Sequence, residues 1–242
     1  MTARPRGAPG GSPTLLLAAL VVFVLITVDV LVGGPLTHLD HAVSDWARST
    51  GLPGPVHRRL GPEAADRAVD LGDRIVVGVI VLVALGWISA RARTIEPLVR
   101  FSLLSVVASA IVLALKFGIG RHAPSGVEGP EVFRSYPSGH TATAVILWGL
   151  LYAVVAEHPD LGLSRPVARL LSWAAPVAVM IGMVLRDYHW VTDLLGAASL
   201  CVVLLQAERM VWAHWRGARR GTTAGPPAAG GRHAAAVHPG LG

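Results

Sequence analysis

The sequence predicts an all-α integral membrane protein, a bundle of six spanning helices. Three observations predict it. Hydrophobic residues make up 52% of the 242 positions and charged residues only 15%, whereas soluble domains carry about 25% charged residues. The apolar residues gather into six runs near the length a membrane helix needs, roughly 20 residues. Many of the arginines behind the formal net charge of +6 lie in tails and short loops. That placement fits membrane topology signals better than a nucleic-acid surface, and no nucleic-acid partner is expected.

Residues 1–13 are rich in Pro, Gly and Arg and read as a disordered tail. Residues 14–33 are nearly all apolar. A secretory signal has an apolar core of only about 7–15 residues, so this run reads as an uncleaved first span. In the polar segment 34–73, Leu39, Ala42, Val43 and Trp46 recur at helical spacing, which predicts a short helix at the membrane surface. Further spans are expected at 74–90, 98–118, 139–157, 168–187 and 191–212, and residues 216–242 read as a second disordered tail. The membrane domain is thus expected over residues 14–215. Cys201 is the only cysteine, which rules out a disulfide within the chain. No Cys/His metal spacing and no carboxylate cluster suited to Mg²⁺ is visible, so neither metal nor cofactor is expected.

Loop charge sets the expected orientation. Arg91, Arg93 and Arg100 flank the second-to-third connection, Arg165 and Arg169 the fourth-to-fifth, and Arg216, Arg219 and Arg220 follow the last span. By the positive-inside rule these segments and both termini are cytoplasmic. The connections 119–138 and 187–191 then face outward, as does the 34–73 segment. The expected location is the inner (plasma) membrane of a bacterium.

Three polar clusters end spans on that outer side. They are Lys116 to Pro124, with Gly118, Gly120, Arg121 and His122; Tyr136-Pro137-Ser138-Gly139-His140-Thr141; and Arg186-Asp187-Tyr188-His189-Trp190-Val191-Thr192-Asp193. Each has a plain reading. Lys116 could snorkel to the interface. Ser138 could simply cap a helix. His189 and Asp193 could be a solvated pair. Each also has a chemical one. A Gly-rich turn flanked by cations can approach an anion closely. A helix that begins Ser-Gly-His offers N–H groups, a hydroxyl and an imidazole to the same anion. His189 and Asp193 at i and i+4 would share a helix face, about 6 Å apart along the axis. Ionisable groups at membrane depth are costly and tend to be functional.

Together and in this order the clusters resemble the type 2 phosphatidic acid phosphatase family, membrane lipid phosphatases related to vanadium haloperoxidases. The resemblance covers residues 110–200 by motif: Lys116 and Pro124 of the first motif, Pro137-Ser138-Gly139-His140 of the second, and His189 with Asp193 of the third. Two positions depart from it. The first motif's arginine position holds Ala123, and the third motif's Ser-Arg positions hold Gly182 and Met183, with Arg121 and Arg186 nearby as substitutes.

The resemblance implies a phosphatase acting on a lipid phosphate or diphosphate at the outer membrane face. His189 would attack phosphorus and form a phosphohistidine, since neutral imidazole is a competent nucleophile near neutral pH. Asp193 would hold the other ring nitrogen. His140 would protonate the leaving oxygen and then activate water. Lys116, Arg121, Ser138, the Gly139 N–H and Arg186 would bind the phosphate. Two alternatives stay open: a haloperoxidase, whose relatives are soluble, and a weak or inactive lipid-phosphate binder or transporter of the same fold. The lipid's identity and the oligomeric state leave no mark in the sequence.

Overall fold

A computed structural model describes residues 11–49, 67–124 and 134–223. Its helices include α1 (Pro13–Val32), α2 (Pro35–Ser49), α3 (Arg74–Ala92), α4 (Glu96–Ile119), α5 (Gly139–Glu157), α6 (Arg165–Leu185) and α7 (Val191–Thr223). Among the described residues a 3-10 turn lies at Pro159–Leu161 and no strand occurs. All but α2 are long and apolar enough to cross a membrane, which gives the six spans expected.

Local chemistry sets the helix ends. Ser12, Asp73, Ser138 and Ser164 each cap a helix start by accepting backbone N–H bonds. Gly33 and Gly120 end α1 and α4 at φ 64° and 68°, a conformation that glycine adopts without a Cβ penalty.

One boundary differs from expectation. α7 runs to Thr223, past residue 212 and into the segment read as a tail. Arg216 is paired there, its Nη1 3.1 Å from Glu96 and 2.6 Å from Glu157. Aromatic contacts between Trp212 and Trp215, and of Arg219 over Trp215, line the same stretch. Of the tails expected at residues 1–13 and 216–242, residues 1–10 and 224–242 lie outside the described residues.

α5 is the hub of the bundle. It packs against α3, α4, α6 and α7, and its Ala144, Leu150 and Val154 are wholly buried. α1 lies outside, against α7 and α2. At one end of the bundle Arg100 is buried against Glu157 and Glu208. The polar clusters gather at the other.

The helix expected from Leu39, Ala42, Val43 and Trp46 forms as α2. Its orientation is inverted relative to a helix on a soluble protein. Leu39 and Trp46 point outward, while Asp40, Ser44 and Ala47 are buried. An apolar outer face suits a helix lying at a membrane interface, where the surroundings take the apolar side.

Candidate active site

The three clusters, up to 77 positions apart from Lys116 to Asp193, meet at this end of the bundle. Hydrogen bonds stitch them together. Ser138 N donates to Asp193 O at 3.1 Å, and Ser135 N to Arg121 O at 2.8 Å. Trp190 Nε1 donates to His122 O at 2.9 Å. Lys116, at the last turn of α4 and buried, donates its ammonium to the Arg134 carbonyl.

His189 and Asp193 pair as their spacing suggested, but not along a helix face. His189 precedes α7, and Asp193 sits in its first turn. The chain closes on itself there: Trp190 N donates to Asp193 Oδ2 at 3.1 Å, and Asp193 N to Trp190 O at 3.1 Å. Asp193 Oδ2 is also 3.3 Å from His189 Nδ1. With Nδ1 held, Nε2 is the ring nitrogen left to act on a substrate. Asp193 is fully buried, whereas His189 keeps partial exposure.

Arg121 takes a position the sequence did not indicate. Its Nη1 lies 2.8 Å from Asp193 Oδ1 and 2.6 Å from Thr192 Oγ1, and its Nη2 lies 2.8 Å from Asp40 Oδ2. The guanidinium also lies over the Trp190 ring, 5.4 Å from its centroid. Its charge therefore faces two buried carboxylates.

Asp40 was missed. It accepts from Thr192 N at 3.0 Å and from the Thr192 hydroxyl, so it caps α7 from across the fold. The same helix α2 is tied to the site by further contacts. Ser44 and Arg48 hold Asp187 at 3.2 and 2.7 Å, and His41 meets the Trp190 ring edge-on at 4.6 Å. A polar segment with both charge signs carries no local signal for such long-range partners.

Ser138 is buried and caps α5, its hydroxyl accepting from Thr141 N at 3.4 Å. The Gly139 N–H and His140 follow at the helix start. Gly72, in the turn ahead of α3, packs against the His140 carbonyl. Arg186 caps the end of α6, its guanidinium 5.6 Å from the Tyr188 ring centroid. Met183 is buried in the apolar core, and Gly182 is buried beside it. Tyr136 is buried, its hydroxyl 2.7 Å from Thr27 Oγ1, and burial raises its phenol above the usual range.

A cavity of about 250 Å³ opens between α3, α4 and α5. Arg74, Lys116, Gly139 and Thr143 line it near the site end of their helices, Ser105 and Ser109 line it further along α4, and Phe101 and Leu147 are among its apolar lining. His189 is not part of that lining. Among the described residues no group of His, Cys, Asp and Glu is arranged to hold a metal ion.

Residues 97–217 match the family model described as the PAP2 superfamily. The chain is also similar in structure to a transmembrane PAP2-type phosphatidylglycerolphosphate phosphatase from Bacillus subtilis. The TM-score is 0.66 at 20% identity, over 88% of this chain and 98% of that one. No curated protein sequence matches the chain. The six apolar helices and this likeness of fold make the chain a multi-pass membrane protein.

Proposed function

The chain belongs to the PAP2 superfamily, and from that premise we propose that it is a membrane phosphatase that hydrolyses a lipid phosphate or diphosphate through a phosphohistidine. The observation that carries the reading is the His189–Asp193 pair at 3.3 Å, closed beside Ser138 and His140 at the start of α5.

In the first step Nε2 of His189 attacks phosphorus, and the bond from phosphorus to the lipid-side oxygen breaks. His140 gives that oxygen its proton. In the second step His140 takes a proton from water, the hydroxide attacks the phosphohistidine, and inorganic phosphate leaves with His189 regenerated. Asp193 fixes the His189 tautomer and stabilises the imidazolium that forms. Lys116, Ser138, the Gly139 N–H and Arg186 bind the phosphoryl oxygens. Arg121 was expected among these ligands; with its donors on Asp193 and Asp40, we give it the role of holding the Asp193 carboxylate in place. The lipid chain lies in the apolar part of the cavity between α3, α4 and α5.

We place the protein in the plasma membrane with this end of the bundle outward, on the strength of the arginines at the other end. The substrate is thus a lipid of the cell envelope with its headgroup in the outer leaflet.

The test is phosphate release by the purified protein in detergent. Phosphatidic acid, phosphatidylglycerol phosphate and farnesyl diphosphate would each be supplied with EDTA present. We expect release from at least one of them, undiminished by the chelator, because side-chain cations neutralise the phosphate. Release from none would leave the lipid-phosphate binder as the better reading. Release that stops in EDTA and returns with Mg²⁺ would contradict the metal-free scheme.

A further inference from the structure

The site is short of cations where the phosphate must sit. Position 123 is Ala, and Met183 is in the apolar core. Arg121 is committed to Asp193, Thr192 and Asp40. Lys116 remains from the first cluster. A second cation stands beside it, on a helix that the sequence motifs do not touch.

Arg74 is the first residue of α3. The turn before it is pressed onto the start of α5. Gly72 packs so closely on the His140 carbonyl that a Cβ there would lie 2.6 Å from the oxygen. Asp73 then caps α3, accepting from Ile75 N at 2.8 Å and Val76 N at 2.9 Å. The Trp148 indole holds the same segment, donating to Leu71 O at 3.2 Å. These contacts fix the Arg74 backbone against α5. Its Nη2 comes within 3.9 Å of where a Cβ on Gly139 would be. Gly139 has no side chain in that space, so the guanidinium and the α5 backbone face the same volume.

Arg74, Lys116 and Gly139 line the cavity near the site end of their helices, whereas His189 does not. On the reading given above, the chain occupies the apolar part and the reacting phosphorus lies at His189. On that reading Arg74 stands with Lys116 and Gly139 where the chain-bearing cavity meets the reacting phosphorus, and its guanidinium is the one of the three assigned to the leaving-group side. In a monophosphate ester that side is one bridging oxygen. In a diphosphate it is a second phosphate, with formal charge of its own.

We propose that Arg74 is a substrate-binding residue that holds the phosphate nearer the lipid chain, and that it makes the site selective for lipid diphosphates over lipid monophosphates. The proposal rests on the hydrolase reading for its substrate but can be tested without turnover. Guanidinium suits the task because its planar fork meets two phosphate oxygens at once, which lysine cannot do.

The experiment measures binding of methylenediphosphonate and of methylphosphonate to the detergent-solubilised protein by calorimetry. Neither has a bond the site can hydrolyse. Wild type, Arg74→Ala, Arg74→Lys and, as a distant control, Arg93→Ala are compared. Size-exclusion elution and melting temperature check that each variant folds. We expect Arg74→Ala to bind the diphosphonate about 10-fold or more weaker, roughly the loss of one charged contact. The monophosphonate should change by about 2-fold or less, Arg74→Lys should fall between, and Arg93→Ala should match wild type. Unchanged diphosphonate affinity in Arg74→Ala would overturn the proposal. So would equal loss for both ligands, or a wild type that does not prefer the diphosphonate. A protein that shows the expected binding pattern but releases no phosphate from any lipid would keep Arg74 and refute the hydrolase reading instead. Phosphate release with unchanged binding in Arg74→Ala would do the reverse.

Discussion

Arg121 and Asp193 form a buried ion pair at 2.8 Å on the carboxylate oxygen that His189 does not use. One carboxylate thus serves two partners, Oδ1 toward the guanidinium and Oδ2 toward the imidazole. Asp40, at 2.8 Å from the other arm of Arg121, completes a row of charges behind His189.

This row implies that Arg121 acts through Asp193. We expect Arg121→Ala to lower kcat by about 10²-fold, the scale of a lost preorganised charge contact, with KM changed by no more than about 3-fold. Steady-state kinetics on the substrate found by the lipid panel checks this. A large rise in KM with kcat intact would make Arg121 a phosphate ligand instead.

Asp40 is tied to Thr192 and Arg121 while almost wholly buried. Asp40→Asn keeps the shape and removes the charge. Breaking one side of a buried pair costs about 3–5 kcal/mol. We expect a clear fall in melting temperature in detergent and a loss of activity that Arg121→Ala does not deepen, because both changes break one network. Wild-type melting would mean that the Asp40 charge adds nothing to the fold.

For Arg186, at the end of α6 and over the Tyr188 ring, we expect Arg186→Ala to lower kcat/KM by about 10²-fold and Arg186→Lys to recover part of it. Arg93→Ala, at the other end of α3 from the site, should do little. Near wild-type turnover in Arg186→Ala, with normal expression, would leave the charge of the transferred phosphate to Lys116.

Much of this was legible in the sequence because a bilayer demands apolar runs of a fixed length. The six runs near 20 residues named the spans, and the polar residues ending them named the clusters that meet. The spacing of His189 and Asp193 suggests a shared helix face. The actual link is a closed turn ahead of α7. Asp40 and Arg74 were not legible. Each sits beside its partners only through the fold, Asp40 with Thr192 152 positions away, and nothing local marks either as different from a solvated charge. The apolar stripe of α2 did predict a helix. Because the apolar phase lies outside a membrane protein, that stripe faces out and Asp40 faces in.

Orientation can be checked with a single introduced cysteine in a Cys201→Ser background. Tyr188→Cys, at an exposed position beside the site, should react in intact cells with an impermeant maleimide. Thr94→Cys, in the connection between α3 and α4, should react only after lysis. The reverse pattern would place the site in the cytoplasm.

The central claim is that His189 carries the phosphoryl group. The most direct measurement is to mix the protein with substrate labelled in its terminal phosphate, quench within milliseconds, and digest and map the label. We expect a phosphoprotein that is stable in alkali and labile in acid, with the label on the peptide containing His189. It should be absent in His189→Ala, which should also release no phosphate. Label on another residue, or phosphate release by His189→Ala at the wild-type rate, would contradict the mechanism.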